Sequence, residues 1–353
     1  MTTFISDELH AAPMKDTLRI NESNLNKYLV SKIKGFSRHM EVRQFPDGQS
    51  NPTYLISAEG KKYVLRKKPP GDLLPSAHAI DREYRIMSAL KNSDVPVPTT
   101  FLFCEDTSII GTEFFLMEMI KGRVFHDPGL PTLSPKNRAI FFEDFIRILA
   151  TLHSLDFKSM GLSDFGRPEG YIERQVKRWS KQYEASKTED IATMSKLIEW
   201  LPLNLPTDHS ISIVHGDYRP GNTIALTIEP RINAVLDWEL STLGHPLADL
   251  GYCCANYHGQ VSTTGEFASL NHKELGIPTE DEFLERYCYH ARRDNVEDYY
   301  FYIAFSLFRS AAIIQGVYKR GLDGNASSKK ALDFGGVARE RSDVAWALVE
   351  KYY

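Results

Sequence analysis

The composition of the chain is that of a folded globular protein, with 353 residues, 42% hydrophobic and 25% charged. A formal net charge of −4 gives no basic surface for a nucleic acid, so we predict no nucleic-acid partner. The four cysteines have neither the paired spacing of a metal site nor the density of a disulfide-stabilised fold. The length allows two domains or a single unit with two lobes.

Neither a targeting segment nor a membrane span is predicted. Residues 1–16 are polar with scattered charges, unlike a signal peptide. The most apolar helical stretch, residues 299–318, contains Arg309 and Gln315, so we do not expect it to cross a bilayer. We therefore predict a cytoplasmic protein with reduced thiols and no membrane contact.

The first third of the chain has the alternation of a small sheet with accompanying helices. Ile80, Tyr84, Met87 and Leu90 recur on one helical face. In chain order we predict a helix at 24–34, strands at 40–45, 53–57 and 62–67, a helix at 79–91 and an apolar strand at 114–120. The remainder is longer and more helical, with helices predicted at 135–155, 171–186, 191–201, 280–293, 296–320 and 330–351.

Two polar turns between short apolar runs carry the most chemical information. The runs at 213–214 and 234–236 are typical of short buried strands, which deliver the following polar side chains to one edge of a core. Asp217, Asn222 and Asp237 follow these runs. Carboxylate and amide oxygens together with substrate phosphates suit Mg²⁺, and an Asp can also accept a hydroxyl proton. Each residue alone is also a common turn residue, but the ordered set favours phosphoryl transfer.

The spacing of these residues resembles that of a kinase catalytic loop, in which an Asp base precedes a metal-binding Asn by five residues. The order His215-Gly216-Asp217, with Asp237-Trp238-Glu239 after a hairpin, resembles the aminoglycoside phosphotransferase and choline kinase superfamily. Residues 244–251 resemble the subgroup of kinase-like domains fused to some acyl-CoA dehydrogenases. The resemblance spans nearly the whole chain and is most specific at 214–251.

This resemblance implies an α+β, bilobal protein-kinase-like fold with a small β-rich N-lobe and a larger, mainly helical C-lobe. Residues 1–120 would form the nucleotide-binding lobe and residues 121–353 the catalytic and substrate-binding lobe. The implied cofactors are ATP and Mg²⁺. Asp217 would act as the base, Arg219 would contact the transferring phosphate, and Asn222 and Asp237 would hold the metal.

Three further roles in the larger lobe come from the resemblance. Asp249 would brace the catalytic loop, and His215 would bond loop backbone rather than move protons. Glu239 has two open interpretations, since it could help to bind a second metal ion or could hold its own loop.

The small lobe contains candidates for phosphate binding. The turn at 46–51, including Ser50 and Asn51, could present backbone N–H groups to phosphates, although a plain hairpin turn is the simpler interpretation. Kinases place a phosphate-binding Lys at the end of the third strand, where this chain has Arg66 and Lys67. We favour Arg66, with Glu83 as its ion-pair partner, and leave Lys67 open. The alternative is that these residues are solvated surface charges.

The apolar run that ends at Lys121 resembles the hinge that connects kinase lobes. Glu118, Met119 and Ile120 would then pair with adenine through their backbone. From the sequence alone, the same residues fit a buried strand.

The substrate class is predicted from two missing sequence features, a peptide-binding activation segment and an acidic region. Twelve positions separate Asp237 from Asp249 and no Ala-Pro-Glu follows, which argues against a peptide substrate and for a small molecule with a hydroxyl. Residues 280–353 contain 12 acidic and 11 basic residues, so no acidic cleft for polycations is evident. Basic pairs at 319–320 and 329–330 and the resemblance favour a hydroxyacyl-CoA. A literal aminoglycoside phosphotransferase and a non-catalytic nucleotide-binding module remain the alternatives, and the oligomeric state is open.

Overall fold

The computed structural model describes residues 2–5, 11–15, 18–45, 51–69, 79–259, 267–326 and 329–353. Its strands are β1 (Thr2–Ile5), β2 (Glu41–Gln44), β3 (Thr53–Ala58), β4 (Lys61–Lys67), β5 (Thr100–Cys104), β6 (Phe114–Glu118), β7 (Gly122–Phe125), β8 (Ser212–Val214), β9 (Thr223–Ala225), β10 (Ile232–Val235) and β11 (Thr242–Gly244). Its helices are α1 (Glu22–Lys32), α2 (Ile80–Leu90), α3 (Pro135–Ser154), α4 (Tyr171–Ser186), α5 (Ala192–Leu203), α6 (Pro246–Cys254), α7 (His272–Leu275), α8 (Glu280–Ala291), α9 (Tyr299–Leu322) and α10 (Val337–Tyr352).

The chain divides into two compact units. The first unit comprises Met1–Phe125 and Gly221–Ser241, and the second comprises His126–Pro220 and Thr242–Tyr353. The prediction had instead divided the chain once, at residue 120. The two divisions differ because residues 221–241 pack with the first unit. The functional assignment of the two parts stays a prediction.

A five-stranded antiparallel sheet forms the centre of the first unit, with the order β2-β3-β4-β6-β5. Tyr54, Leu65, Phe114 and Leu116 are completely buried on this sheet. Helix α2 packs beside β5 and β6 and buries Ile80, Met87 and Leu90 of its predicted face, whereas Tyr84 is only partly buried. Its buried face also includes Glu83, which is only 1% exposed, so this carboxylate needs a partner inside the unit.

A second sheet explains why residues 221–241 belong to the first unit. Its order is β1-β7-β9-β10. Strand β7, which follows the five-stranded sheet in the chain, therefore pairs with the hairpin of β9 and β10. Gly122 makes this contact possible, because a Cβ there would lie 2.3 Å from the carbonyl oxygen of Ala225. Only glycine fits so close an approach of two backbones.

Helix α9 is the core helix of the second unit, and α4, α6 and α10 pack against it. Its length and apolar composition would suffice for a membrane span, but 72% of the relevant window is buried inside the protein. A buried apolar helix is what the core of a folded domain requires. The predicted cytoplasmic location stays a prediction.

The two largest errors in the predicted helix bounds each have a backbone cause, and the other bounds differ by at most two residues. The helix predicted to begin at residue 296 begins at Tyr299, because Asp298 has a left-handed φ of 50° that an α-helix cannot contain. The helix predicted from residue 330 begins at Val337. Residues Lys329–Phe334 form a 3-10 helix, and Gly336 with φ 87° separates it from α10.

Candidate active site

The predicted catalytic loop lies in the second unit and follows strand β8, which is buried and paired with β11. His215 is completely buried, and its Nδ1 accepts a hydrogen bond from the backbone N–H of Asp217 at 3.2 Å. Gly216 has φ 85°, a left-handed conformation that turns the chain sharply. The loop therefore leaves the strand with its backbone fixed and presents Asp217 next.

Asp249 anchors this loop from helix α6. Its Oδ2 accepts from the N–H of His215 at 2.6 Å, and its Oδ1 accepts from the N–H of Gly216 at 2.9 Å. Burial raises the pKa of Asp249. The hydrogen bond and charge of His153, together with the charge and backbone N–H of His215, lower it by more and hold the pKa below its usual range. The carboxylate thus stays ionised and satisfies two loop donors at once.

Asp217 is the carboxylate that this loop presents. Its side chain is 24% exposed, so solvent and an acceptor can reach it. Oδ1 accepts from the hydroxyl of Tyr252 at 2.5 Å, and Oδ2 accepts from Nε of Arg219 at 3.2 Å. A partly exposed carboxylate held in a fixed orientation is suited to accept a proton from a bound hydroxyl.

The sequence analysis missed Tyr252. It lies on α6 three positions after Asp249, and residues three apart share one face of a helix. That spacing was the available signal, because the residue that braces the loop and the residue that contacts Asp217 occupy the same face. Burial raises the pKa of Tyr252 well above its usual value, and the neighbouring Asp217 adds to this, so the hydroxyl stays a donor.

The two candidate metal ligands lie in the first unit. Asn222 is 6% exposed and ends the 3-10 helix Pro220–Asn222. Its carbonyl accepts from the N–H of Leu236 at 2.8 Å, which brings the residue before Asp237 against Asn222. Asp237 has a left-handed φ of 64°, unusual for a residue with a side chain, and its side chain is 35% exposed. The hairpin of β9 and β10 therefore places both candidates at the same end.

Arg66 connects Asp237 to the five-stranded sheet. Its guanidinium lies 2.7 Å from Oε1 of Glu83 and 3.5 Å from Oδ1 of Asp237. Burial alone would lower the pKa of Arg66, but the carboxylates of Glu83, Asp237 and Glu239 raise it. The predicted partnership of Arg66 with Glu83 is therefore present in the geometry as a buried ion pair rather than as two solvated surface charges.

Negative charge exceeds positive charge around Arg66. Burial raises the pKa of Glu83 to about 7 against the attraction of Arg66, and repulsion from Asp237 and Glu239 raises it further. Three carboxylates thus compete for one guanidinium, which leaves a site attractive to a cation. No cluster of three His, Cys, Asp or Glu residues with metal-site spacing occurs in the described part of the chain. Mg²⁺ does not need one, since it takes one or two carboxylates together with phosphates and water.

Glu239 holds its loop in the present geometry. Its Oε2 accepts from Nδ2 of Asn51 at 3.3 Å, and Asn51 is completely buried. This contact joins the start of β3 to the loop that carries Asp237. Ser50 and residues 46–49 of the predicted phosphate-binding turn lie outside the described residues.

An apolar cavity of about 180 Å³ lies inside the first unit. Its wall includes the three predicted hinge residues as well as Arg66 and Asp237, and the apolar side chains Val64, Met87, Met117, Ile224 and Leu236. The N–H of Glu118 already donates to the carbonyl of Thr99 at 2.8 Å, so backbone groups further along the hinge are better placed for a ligand. An apolar slot that ends at an Arg and an Asp suits a flat ring attached to phosphates.

The comparison with known families decides the classification. The sequence profile of the phosphotransferase enzyme family matches residues 41–287, a range that contains Arg66, Asp217, Asn222 and Asp237. The chain belongs to the phosphotransferase enzyme family. Members of this family transfer phosphoryl groups, which agrees with a small-molecule kinase.

Similar proteins support the same classification. Mouse acyl-CoA dehydrogenase family member 10 is 45% identical over 342 residues, covering 96% of this chain but 32% of the mouse protein. A solved structure from Ralstonia eutropha, provisionally named an aminoglycoside phosphotransferase, is 43% identical with a TM-score of 0.86, covering 94% of this chain and 99% of that one. Choline kinase from Cryptosporidium parvum has a TM-score of 0.65 at 13% identity, covering 93% and 95% of the two chains, and shares the fold alone.

These comparisons confirm the predicted resemblance and the predicted fold class. The first unit is β-rich and the second is mainly helical, as a kinase-like phosphotransferase requires. The chain spans about a third of the length of the mouse relative and less than half of the chicken relative. What those longer proteins do as a whole is therefore a separate matter from the activity of this phosphotransferase unit.

The sequence predicts that either Arg66 or Lys67 contacts a nucleotide, and substitution of each residue would distinguish the two. Arg66 lies against Glu83 and Asp237, whereas Lys67 points to the other face of β4 and is buried there. We expect Arg66→Lys to raise the Michaelis constant for ATP about tenfold. The single ammonium group of Lys cannot contact Glu83 and a phosphate at once, as a planar guanidinium can. Lys67→Met is the control and should leave that constant unchanged, since Lys67 lies on the face of β4 opposite to Arg66. Steady-state rates over an ATP titration measure both, and the reverse ranking would assign the role to Lys67.

Proposed function

We propose that this phosphotransferase uses ATP and Mg²⁺ to phosphorylate a hydroxyl of a small metabolite, with a hydroxyacyl-CoA as the favoured acceptor. One observation carries the proposal. Asp217 is an oriented, partly exposed carboxylate on a loop whose backbone is anchored by a buried ionised Asp249. Metal-binding Asn and Asp candidates follow in the order that kinase chemistry requires.

Each residue has a distinct task in this proposal. Asp217 orients the acceptor hydroxyl and takes its proton, while Asn222 and Asp237 hold the metal. Arg66 contacts the non-reacting phosphates, and Arg219 contacts the phosphate that is transferred. ATP supplies the phosphoryl group, and Mg²⁺ neutralises the charge of its phosphates.

The cavity in the first unit supports a nucleotide as the donor. Its apolar wall fits a purine ring, and the phosphates would then extend towards Arg66 and Asp237, which line the same cavity. The excess negative charge around Arg66 supports a divalent cation between the carboxylates and the phosphates, because without one the like charges would repel.

Positive charge around Asp217 supports an anionic acceptor. Arg219 and Arg309 both act electrostatically on Tyr252, and Tyr252 in turn acts on Arg341. Arg219 and Arg309 also contact the loop directly, Arg219 at Oδ2 of Asp217 and Arg309 at the carbonyl of Gly216, and their charge would repel a polycation. The basic pairs named in the sequence analysis contribute less, because Lys319 is paired with Asp323 at 2.5 Å and the side chain of Lys329 lies outside the described residues.

A screen for acceptor-dependent ADP release tests the proposed function. The acceptors are a 3-hydroxyacyl-CoA, the matching acyl-CoA without the hydroxyl, the free hydroxy acid and an aminoglycoside. We expect the hydroxyacyl thioester to raise ADP release at least about tenfold above the acceptor-free rate, with no increase from its hydroxyl-free match. The Michaelis constant for the thioester should rise with salt, because screening shortens the reach of the arginines to about 8 Å at physiological ionic strength.

Two other outcomes would replace this proposal. Phosphorylation of the aminoglycoside with no activity on any hydroxyl thioester would establish the aminoglycoside alternative, which the name of the Ralstonia eutropha relative favours. Magnesium-dependent nucleotide binding without transfer to any acceptor would establish a regulatory module. The Asp217→Asn variant is the blank in every arm, since it should bind nucleotide but not transfer.

A further inference from the structure

We infer that Tyr252 is a positioning residue for Asp217. Its hydroxyl fixes Oδ1 of the carboxylate and leaves Oδ2 to receive the acceptor's proton. The inference rests on the proposed phosphotransfer and assigns a role to a residue that neither the sequence motif nor the family resemblance singled out. The distances, burial and exposure around Asp217 carry it.

Tyr252 and Arg219 make unequal hydrogen bonds to Asp217. Tyr252 donates to Oδ1 at 2.5 Å, the short distance typical of an O–H donor on a carboxylate. Arg219 donates to Oδ2 at 3.2 Å, and its side chain is 43% exposed. A long ion pair at an exposed side chain contributes little, so an incoming hydroxyl displaces Arg219 more easily than it displaces Tyr252.

The surroundings keep Tyr252 in place as a donor. It lies on α6, the helix that also supplies Asp249 to the loop backbone. Because both residues belong to one helix, the distance between the loop backbone and the Asp217 carboxylate is set by a rigid element. Burial and the adjacent Asp217 raise the pKa of Tyr252, so the hydroxyl keeps its proton across the working pH range.

Several charged and titratable groups lie near Tyr252 and Asp217, and His215 and Asp249 both contact the backbone of the Asp217 loop. Arg219 lies on the loop, Arg309 on α9 and Arg341 on α10. Cys253, on the same helix as Tyr252, has a thiol whose pKa burial raises well above its usual value, so it stays neutral. Arginines stay charged throughout the accessible pH range.

The step that follows is balanced in atoms and electrons. The acceptor oxygen forms a bond to the γ-phosphorus while the bond from that phosphorus to the bridging oxygen breaks, and its electron pair stays on the departing ADP. The acceptor's proton moves to Oδ2 of Asp217 and later to solvent. Tyr252 keeps its own proton, and Arg219, released from Oδ2, can contact the transferring phosphate.

The test compares Tyr252→Phe with Tyr257→Phe. Tyr257 follows the same helix and also loses a hydrogen bond of similar length, from its hydroxyl to the carbonyl of Pro278 at 2.7 Å, but it does not contact Asp217. We expect Tyr252→Phe to lower kcat about tenfold to a hundredfold, the range for a hydrogen bond to a charged group. The Michaelis constant for ATP should not change, and Tyr257→Phe should stay within about twofold of wild type.

Two pH measurements separate positioning from a general structural defect. Loss of a donor to the charged carboxylate should move the acid limb of the kcat/KM profile about one pH unit upward in Tyr252→Phe. The same shift should appear in the ¹³Cγ titration of the Asp217 carboxyl, assigned by its loss in Asp217→Asn, and this reading needs no acceptor. Circular dichroism melting confirms that each variant is folded.

An unmoved Asp217 titration, or equal kinetics in the two Tyr variants, would overturn the role of Tyr252 and leave the proposed function standing. A wild-type protein that transfers phosphate to none of the acceptors would instead overturn the proposed function, and the assignment of Oδ2 as proton acceptor with it. A shifted titration together with slowed transfer in Tyr252→Phe alone supports both.

Discussion

Replacement of Asp217 by Asn should lower turnover by a factor on the order of 10²–10⁴, the usual contribution of a positioned general base. The amide keeps the size of the side chain and still offers an oxygen to the hydroxyl of Tyr252, so the loop should stay in place. It cannot accept the acceptor's proton. Nucleotide affinity should persist, because Arg66, Asn222 and Asp237 are unchanged. Steady-state rates and ATP titration on the same preparation measure the two effects.

Asp190→Asn is the matched control for this experiment. Asp190 is 94% exposed and pairs with Lys187 on the surface of the second unit, a contact expected to contribute little. Its removal should change neither turnover nor affinity. Near-normal turnover in Asp217→Asn would show that another group takes the proton.

Replacement of Asp237 by Asn should weaken Mg-ATP binding on the order of a hundredfold, in addition to slowing transfer. The amide retains an oxygen but loses the negative charge that a hard cation requires. The change also removes one of the three carboxylates around Arg66, and with it part of the repulsion that adds to burial in raising the pKa of Glu83. Binding of ATP without Mg²⁺ should therefore be affected much less than binding of Mg-ATP. Calorimetric titration with and without Mg²⁺ gives the comparison.

Asp106→Asn is the control for the metal experiment. Asp106 is an exposed turn residue of the first unit whose carboxylate accepts from the N–H of Ser108 at 2.9 Å, and an amide oxygen can do the same. Equal Mg-ATP affinities for Asp237→Asn and wild type would remove Asp237 from the set of metal ligands, even if transfer were slow.

Local patterns were sufficient to predict most of the elements. The helical face at Ile80, Met87 and Leu90 is buried as predicted, because an apolar stripe with helical spacing has to pack against a core. The five-residue spacing of Asp217 and Asn222 is also a local pattern, because it lies within one short segment of the sequence.

Contacts between distant parts of the chain could not be predicted in this way. The bond from Tyr252 to Asp217 spans 35 residues, and the pairing of β7 with β9 joins strands separated by the whole of α3, α4 and α5. No periodicity within a short window encodes which strand extends which sheet. The packing of residues 221–241 with the first unit is therefore evident from the structure and not from the sequence.

The buried indole of Trp238 has a consequence for regulation. Protein kinases have Phe-Gly after the metal-binding Asp, and the packing of that Phe distinguishes active from inactive forms. Here Trp238 is completely buried and donates its indole N–H to the carbonyl of Val235 at 3.0 Å, and the following Glu239 is bonded to Asn51. Expelling such a side chain costs about 3–5 kcal/mol, so a swung-out loop would be populated below about 1%. Inhibitors that need an opened loop would therefore find few molecules to capture.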